Sequence, residues 1–374
     1  MTKASGLTLH SPSHFLVALF STTQSHQQLI SILPLFPPGD NVIFAHSTFF
    51  GRRPTFPSLI PDLPTPAQVR DEAARLGIIN NNNNNNDNDG GSSSGSAAKL
   101  VPFPSLGLLV KYGVEGSGVS AAEGKAMMLM RPAVLSPAAG GGVMPVPEVF
   151  GWRRDGGTGE RFVYLDLPEG DVLEQRWEGM AEAEREAVCT QLRGWVAEWR
   201  RLRVGGVGFV GSVDNGPLQD EVFRGCTMAG APPPGPFPTV ATFHDYFVSM
   251  AATISQSRHA GAAGGQLRYT PQHLFPDDVP VVFTHGGLHP RNIVVSAGPN
   301  PRVVSILGWE QAGWYPAYWE LCKARWECSR RGSLGDWESK YLPGVLDAEG
   351  LNAEMRGWHV GALCQYWDYF VGLM

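Results

Sequence analysis

The segment FTHGGLHPRNIVV, Phe283 to Val295, sets two imidazoles and a carboxamide between two runs of apolar, largely β-branched residues. His285 and His289 are its proton-moving candidates, because an imidazole titrates near neutrality. A loop histidine is more often solvated than catalytic, so residue type alone does not make His289 a base. Neither Gly286 nor Gly287 brings a carboxylate to the middle of the loop. Further able groups lie elsewhere: Lys111 near the end of LGLLVKYG, Glu123 in SAAEGKAMMLM, Asp166 in RFVYLDLPEG, and Glu310 two residues after Gly308 in SILGWEQAGWYPAYWE. By type alone Lys111 is a snorkelling strand-end cation and Glu123 a surface helix carboxylate, since exposed charge is the common case.

Groups on such distant segments meet only if strands and helices fold them together, and the sequence supplies both periods. LPTPAQVRDEAARLGI signals a helix, with Thr65 as N-cap, Pro66 in the first turn, Gln68 at capping-box spacing and Gly77 near the stop. Residues 106–113 read as a strand, 120–130 as a helix, and VPEVFGW and RFVYLDLPEG as two more strands. A helix is expected from Asp171, with Glu174 three residues on. Over 182–203, Val188, Leu192, Trp195, Val196, Trp199 and Leu202 form a stripe for burial. Strands return in VPVVFTHGG, NIVVS and RVVSILGW, with AGPNP (297–301) as the turn of a hairpin.

Composition excludes several function classes. The chain has 374 residues, 43% of them hydrophobic, enough to bury on the order of three quarters of its unfolded surface in a two-lobed unit or two domains. A formal charge of −6 offers no basic field for nucleic acid. HFLVALFS (14–21) is too short to span a bilayer and lacks the charge that precedes a secretory signal, so no membrane partner is expected. Cys189, Cys226, Cys322, Cys328 and Cys364 show no CxxC pair or Cys/His metal spacing; reduced thiols in a cytoplasmic protein are expected, not a disulfide framework. The extension 1–41 and the Asn/Gly/Ser insert 80–98 are expected to be disordered, the insert because it cannot offset its ordering entropy with apolar burial. Trp309, Trp314, Trp319, Trp326, Trp337, Trp358 and Trp367 read first as core, with a cation-binding cage including Glu320, Glu327 and Asp336 as the alternative.

The order of parts resembles the protein-kinase-like fold, and specifically the aminoglycoside phosphotransferase family in its large fungal branch. LLVKYG, EGKAM, YLDLPEGD, GFVGSVDNGPL, THGGLHPRNI, ILGWEQAGWYPAYWELCKARW and YWDYF carry the resemblance by order and spacing over residues 42–374. It implies an α+β bilobal fold: a small β-rich N-lobe over 42–167, and a larger, mostly helical C-lobe over 168–374 with a catalytic-loop hairpin at 281–309. It also implies that Lys111 holds the α- and β-phosphates of ATP with Glu123 fixing it. The backbone at Leu165, Asp166 and Leu167 would meet adenine, although Leu165 and Leu167 read equally as strand core.

The family's loop pattern H-G-D-x-x-x-x-N supplies an Asp that aligns the attacking hydroxyl and an Asn that holds magnesium. Here His285, Gly286 and Asn292 fit, with His285 bracing the loop, and Gly287 stands at the Asp position. A second family Asp, after the hairpin, grips the same metal, and here it is Gly308. Asn292 alone is a poor anchor for Mg2+; Glu310 is the nearby carboxylate, reaching metal if its segment is extended. The insert before the Lys111 strand falls about where such folds cover the phosphates. ATP and Mg2+ are therefore the implied cofactors, both weakly held. One reading is a catalytically impaired pseudokinase that keeps a cleft for a nucleotide, small molecule or protein partner. The other is an active kinase phosphorylating a hydroxyl through Asn292 and Glu310. A family resemblance does not define the acceptor.

Overall fold

A computed structural model describes residues 8–9, 29–30, 36–51, 62–78, 97–131, 142–204, 208–224, 232–258, 275–331, 334–355 and 359–373. The first lobe is built on strands β1 (Val42–Ile43), β2 (Lys99–Phe103), β3 (Leu108–Gly113), β4 (Val149–Arg154) and β5 (Arg161–Asp166). They pair antiparallel in the order β1-β4-β5-β3-β2, and Thr8–Leu9 adds a parallel strand outside β1. Of the extension 1–41, only 8–9, 29–30 and 36–41 are described, and Leu29–Ile30 pairs with Arg203–Val204. Both HFLVALFS and residues 79–96, most of the low-complexity insert, lie outside the described residues.

Helix α1 (Pro66–Arg75) begins where the sequence says: Thr65 Oγ1 accepts the Gln68 N–H at 3.3 Å and the Gln68 side chain accepts the Thr65 N–H at 2.8 Å. Helix α2 (Ala121–Met130) covers the other face of the sheet. Strand alternation assigns the faces. Leu108, Val110 and Tyr112 of β3 join Val69 and Ala73 of α1 in one core, while Leu109 joins Met127 and Met130 of α2 in the other. Lys111 therefore belongs to the α2 side.

The larger lobe contains β6 (Asp171–Val172), α3 (Glu182–Arg200), β7 (Gly211–Ser212), α4 (Val240–Arg258), β8 (Val281–Thr284), β9 (Ile293–Val295), β10 (Val303–Ile306), β11 (Gly313–Pro316), α5 (Trp319–Arg331) and α6 (Val360–Leu373). Two small sheets, β10-β9-β6 and β7-β11-β8, flank the loop 285–292 that joins β8 to β9. The β9–β10 hairpin turns through Gly298 and Asn300, both at positive φ. The helix expected from Asp171 instead begins at Leu173, because Asp171 and Val172 pair with Val295 and Val294; Glu174 does not complete a cap there. The α3 stripe is buried as its period requires. The whole is a bilobal α+β, kinase-like fold. No helix among the described residues is long and apolar enough to cross a membrane.

Candidate functional site

Strand alternation on β3 and the helical repeat of α2 set Lys111 against Glu123. Glu123, Met127 and Met130, at i, i+4 and i+7, share the buried face of α2. Gly124 keeps that helix close to the sheet, since a Cβ there would lie 3.0 Å from the Trp152 ring. Lys111 Nζ lies 3.0 Å from the Glu123 carboxylate and 2.8 Å from Glu310 Oε2. Burial alone would favour the neutral amine, but the two carboxylates outweigh it and hold Lys111 above its ordinary pKa. Burial likewise pushes Glu310 up, and the Lys111 ammonium more than reverses this, to about 2. The cation expected to meet phosphate is already balanced by two internal carboxylates. Residues 309–311 form a 3-10 turn, not the extended segment expected, and the turn carries Glu310 toward Lys111.

The loop after β8 is braced from α5. Glu320 accepts the His285 N–H at 2.6 Å and the Gly286 N–H at 3.1 Å. Gly286 needs to be glycine: its φ is +77°, and a Cβ would lie 2.8 Å from the Gln311 carbonyl oxygen. His285 Nε2 donates to Leu307 O at 2.9 Å while Nδ1 accepts the Gly287 N–H at 3.1 Å. Those partners fix the tautomer and use both ring nitrogens. Burial lowers the His285 pKa to about 4, so the ring is a neutral brace. His289, expected to be solvated, is instead buried, with Nδ1 accepting the Arg291 N–H.

Gly287 and Gly308 have different surroundings. A Cβ at 287 would come no closer than 3.5 Å to any neighbour, an ordinary contact. Gly308 has φ +79°, and a Cβ there would lie 2.7 Å from Asn292 Nδ2. The same Nδ2 donates to the Gly287 carbonyl at 2.7 Å. The Asn292 carboxamide thus fills the space beside Gly308 and ties itself to Gly287. Among the described residues no group of three or more His, Cys, Asp or Glu side chains is arranged to hold a metal ion. Mg2+ takes an octahedral set of oxygens, usually with carboxylates. One carboxamide and one carboxylate already paired with Lys111 do not fit it.

The model of the phosphotransferase enzyme family matches residues 128–363. The chain belongs to that family. The match starts inside α2, after Lys111 and Glu123. Similar solved structures include an aminoglycoside-3'-phosphotransferase of type VIII, 14% identical with a TM-score of 0.44, over 82% of this chain and 99% of that one. Another is the streptomycin–ATP–APH(2")-IIa ternary complex, 10% identical with a TM-score of 0.44, over 79% and 86%. A thermostable mutant of aminoglycoside phosphotransferase APH(4)-Ia, solved with ADP and hygromycin B, is 15% identical with a TM-score of 0.35, over 75% and 92%. No curated protein matches the chain.

In this phosphotransferase-family chain, Leu165 is buried strand core. The Asp166 N–H donates to Glu148 O at 2.8 Å and the Leu167 N–H to Gly107 O at 3.1 Å. Pro168 has no N–H. Those donors, expected to meet adenine, are committed within the chain. Sequence reasoning missed Lys323, which is fully buried beside the loop. Its Nζ donates to Gly286 O at 2.9 Å, Gln311 Oε1 at 2.8 Å and Glu327 at 3.1 Å, with Asp220 and Glu221 each 3.4 Å away. The i, i+4 spacing of Lys323 and Glu327 was visible, but their burial was not. Glu320 and Glu327, weighed as cage carboxylates, serve the loop and Lys323. Asp336 accepts from Trp177 Nε1 at 3.4 Å. Trp309, Trp314, Trp319, Trp337 and Trp367 are buried core, Trp326 faces the chain's own Arg330 at 4.6 Å, and Trp358 lies outside the described residues.

Proposed function

We propose that the protein is a pseudokinase of the phosphotransferase enzyme family: it keeps the two-lobed frame and a cleft able to take a nucleotide or small molecule, but does not transfer phosphate efficiently. One observation carries the reading: the Asn292 carboxamide bridges Gly287 and Gly308, the two positions where the resemblance puts catalytic carboxylates. A general base contributes about 10²- to 10⁴-fold, roughly 3 to 5 kcal/mol of barrier. Loss of a metal carboxylate removes charge neutralisation on which phosphoryl transfer largely depends. The two deficits act on one transition state, so they need not add, and either suffices for slow turnover. ATP binds weakly on this reading, because Lys111 is balanced by Glu123 and Glu310 and the Asp166 and Leu167 N–H groups are committed.

A second reading, an active kinase that phosphorylates a hydroxyl with Asn292 and Glu310, draws support from the Glu310 carboxylate lying beside Lys111. A loose transition state asks little of a base. The test is turnover of ATP with Mg2+ across a panel of hydroxylated and amino-sugar acceptors. The pseudokinase reading predicts no acceptor-dependent ADP release above background; release that Lys111→Ala abolishes contradicts it.

A further inference from the structure

Cys322 and Cys364 are 42 residues apart in sequence, and the fold brings their sulfurs to 3.0 Å. Both are almost fully buried, at 0% and 1% exposure. The juxtaposition is built by two helices in register. On α5, Trp319, Cys322 and Trp326 lie at i, i+3 and i+7; on α6, Cys364, Trp367 and Val371 repeat that spacing. Trp367 packs edge-on against Trp319 at 5.2 Å and against Trp326 at 5.9 Å, so aromatic contacts above and below the sulfurs fix the two helices against each other. Helix α5 is also the element that braces the loop, through Glu320 on His285 and Gly286 and through Lys323 on Gly286.

We propose that Cys322 and Cys364 form a reversible intramolecular disulfide that pins helix α6 to α5, made and broken by exchange with a low-molecular-weight disulfide such as oxidised glutathione. Cys322 donates its S–H to Cys364 Sγ. That hydrogen bond, opposed by burial and aided by Arg325, lowers the Cys364 pKa, whereas burial raises that of Cys322. Cys364 is therefore the first nucleophile. Its thiolate attacks one sulfur of the small disulfide, an S–S bond forms, the old S–S bond breaks, and one small thiolate leaves. The Cys322 thiolate then attacks the Cys364 sulfur of the mixed disulfide and expels the second small thiolate. Both cysteine protons pass to the two departing thiolates, so two protein thiols are oxidised and one small disulfide is reduced to two thiols. Access comes by opening of α6, whose outer side exposes Tyr366 and Tyr369.

The experiment uses the full chain, incubated with oxidised glutathione both as native protein and during refolding from urea, then alkylated and peptide-mapped without reduction. The expected product is a single cross-link between the peptides holding Cys322 and Cys364, with a Tm raised by roughly 5 °C and returned by dithiothreitol. Cys189→Ser should keep the shift and Cys364→Ser should lose it. Absence of the Cys322–Cys364 cross-link in both protocols overturns the proposal, whatever the variants do. An equal Tm shift in Cys364→Ser overturns it too.

Discussion

At the scale of single residues, the two glycines differ in what surrounds them. Gly287→Asp meets no neighbour closer than 3.5 Å at its Cβ, so thermal stability should stay near that of the native protein. Gly308→Asp places a side chain at φ +79° and drives it into the Asn292 carboxamide. The left-handed backbone alone costs about 1–2 kcal/mol, and urea melts should show at least that loss for Gly308→Asp only. Titration of the loop's anchors gives a second prediction. His285, lowered to about 4 from 6.5, loses stability as pH falls through that window, because the unfolded imidazole takes the proton first. Burial raises Glu320 to about 7 from 4.5, against its two N–H partners, and it acts with the opposite sign: the folded state holds the proton, so stability rises as pH falls from 7 to 4.5. The two offset each other between about 6.5 and 4.5. Below 4.5 Glu320 is silent, and Glu310, lowered to about 2, joins His285 in losing stability. Urea midpoints should therefore show little contribution from this pair down to pH 4.5 and a fall beneath it. In Glu320→Gln the His285 slope should be uncovered from pH 6.5 downward, at about 1.4 kcal/mol per pH unit.

At the scale of elements, the loop is a graft held by α5. Lys323 neutralises buried carboxylates from the segment at 220–221 and from its own helix while donating to Gly286 and Gln311. Lys323→Met strands Asp220 without its cation and leaves Glu327 only Arg291, 3.5 Å away, and breaking such a buried set costs about 3–5 kcal/mol. Chemical denaturation is the check, and a midpoint unchanged from the native one would mean that the carboxylates are protonated or rearranged. Local rules made much of this legible from sequence. Thr65 and Gln68 announced α1 because both partners of a capping box lie four residues apart or fewer. The strand at β3 is legible because its apolar run is buried on both faces, and the stripe on α3 because it is set by one buried face. What stayed hidden were pairings made by the chain's return path: Glu310 with Lys111, Lys323 with Asp220, and Cys322 with Cys364. The helix starts later than Asp171 for a related reason, since a strand partner far along the chain pairs with Asp171 and Val172.

At the scale of the whole molecule, a two-lobed frame brings together charges that are satisfied internally. The small lobe delivers Lys111 through sheet alternation, the large lobe returns Glu310 to it, and the Asn292 carboxamide lies beside both glycines. On the pseudokinase proposal this site has little reason to prefer Mg·ATP over ATP, since the divalent ion would find one amide oxygen and one engaged carboxylate. Isothermal titration of the native chain with ATP, with and without Mg2+, tests this most directly. Weak binding whose Kd changes less than about threefold on adding Mg2+ is expected; a tightening of tenfold or more, about 1.4 kcal/mol, would show that the site seats the metal.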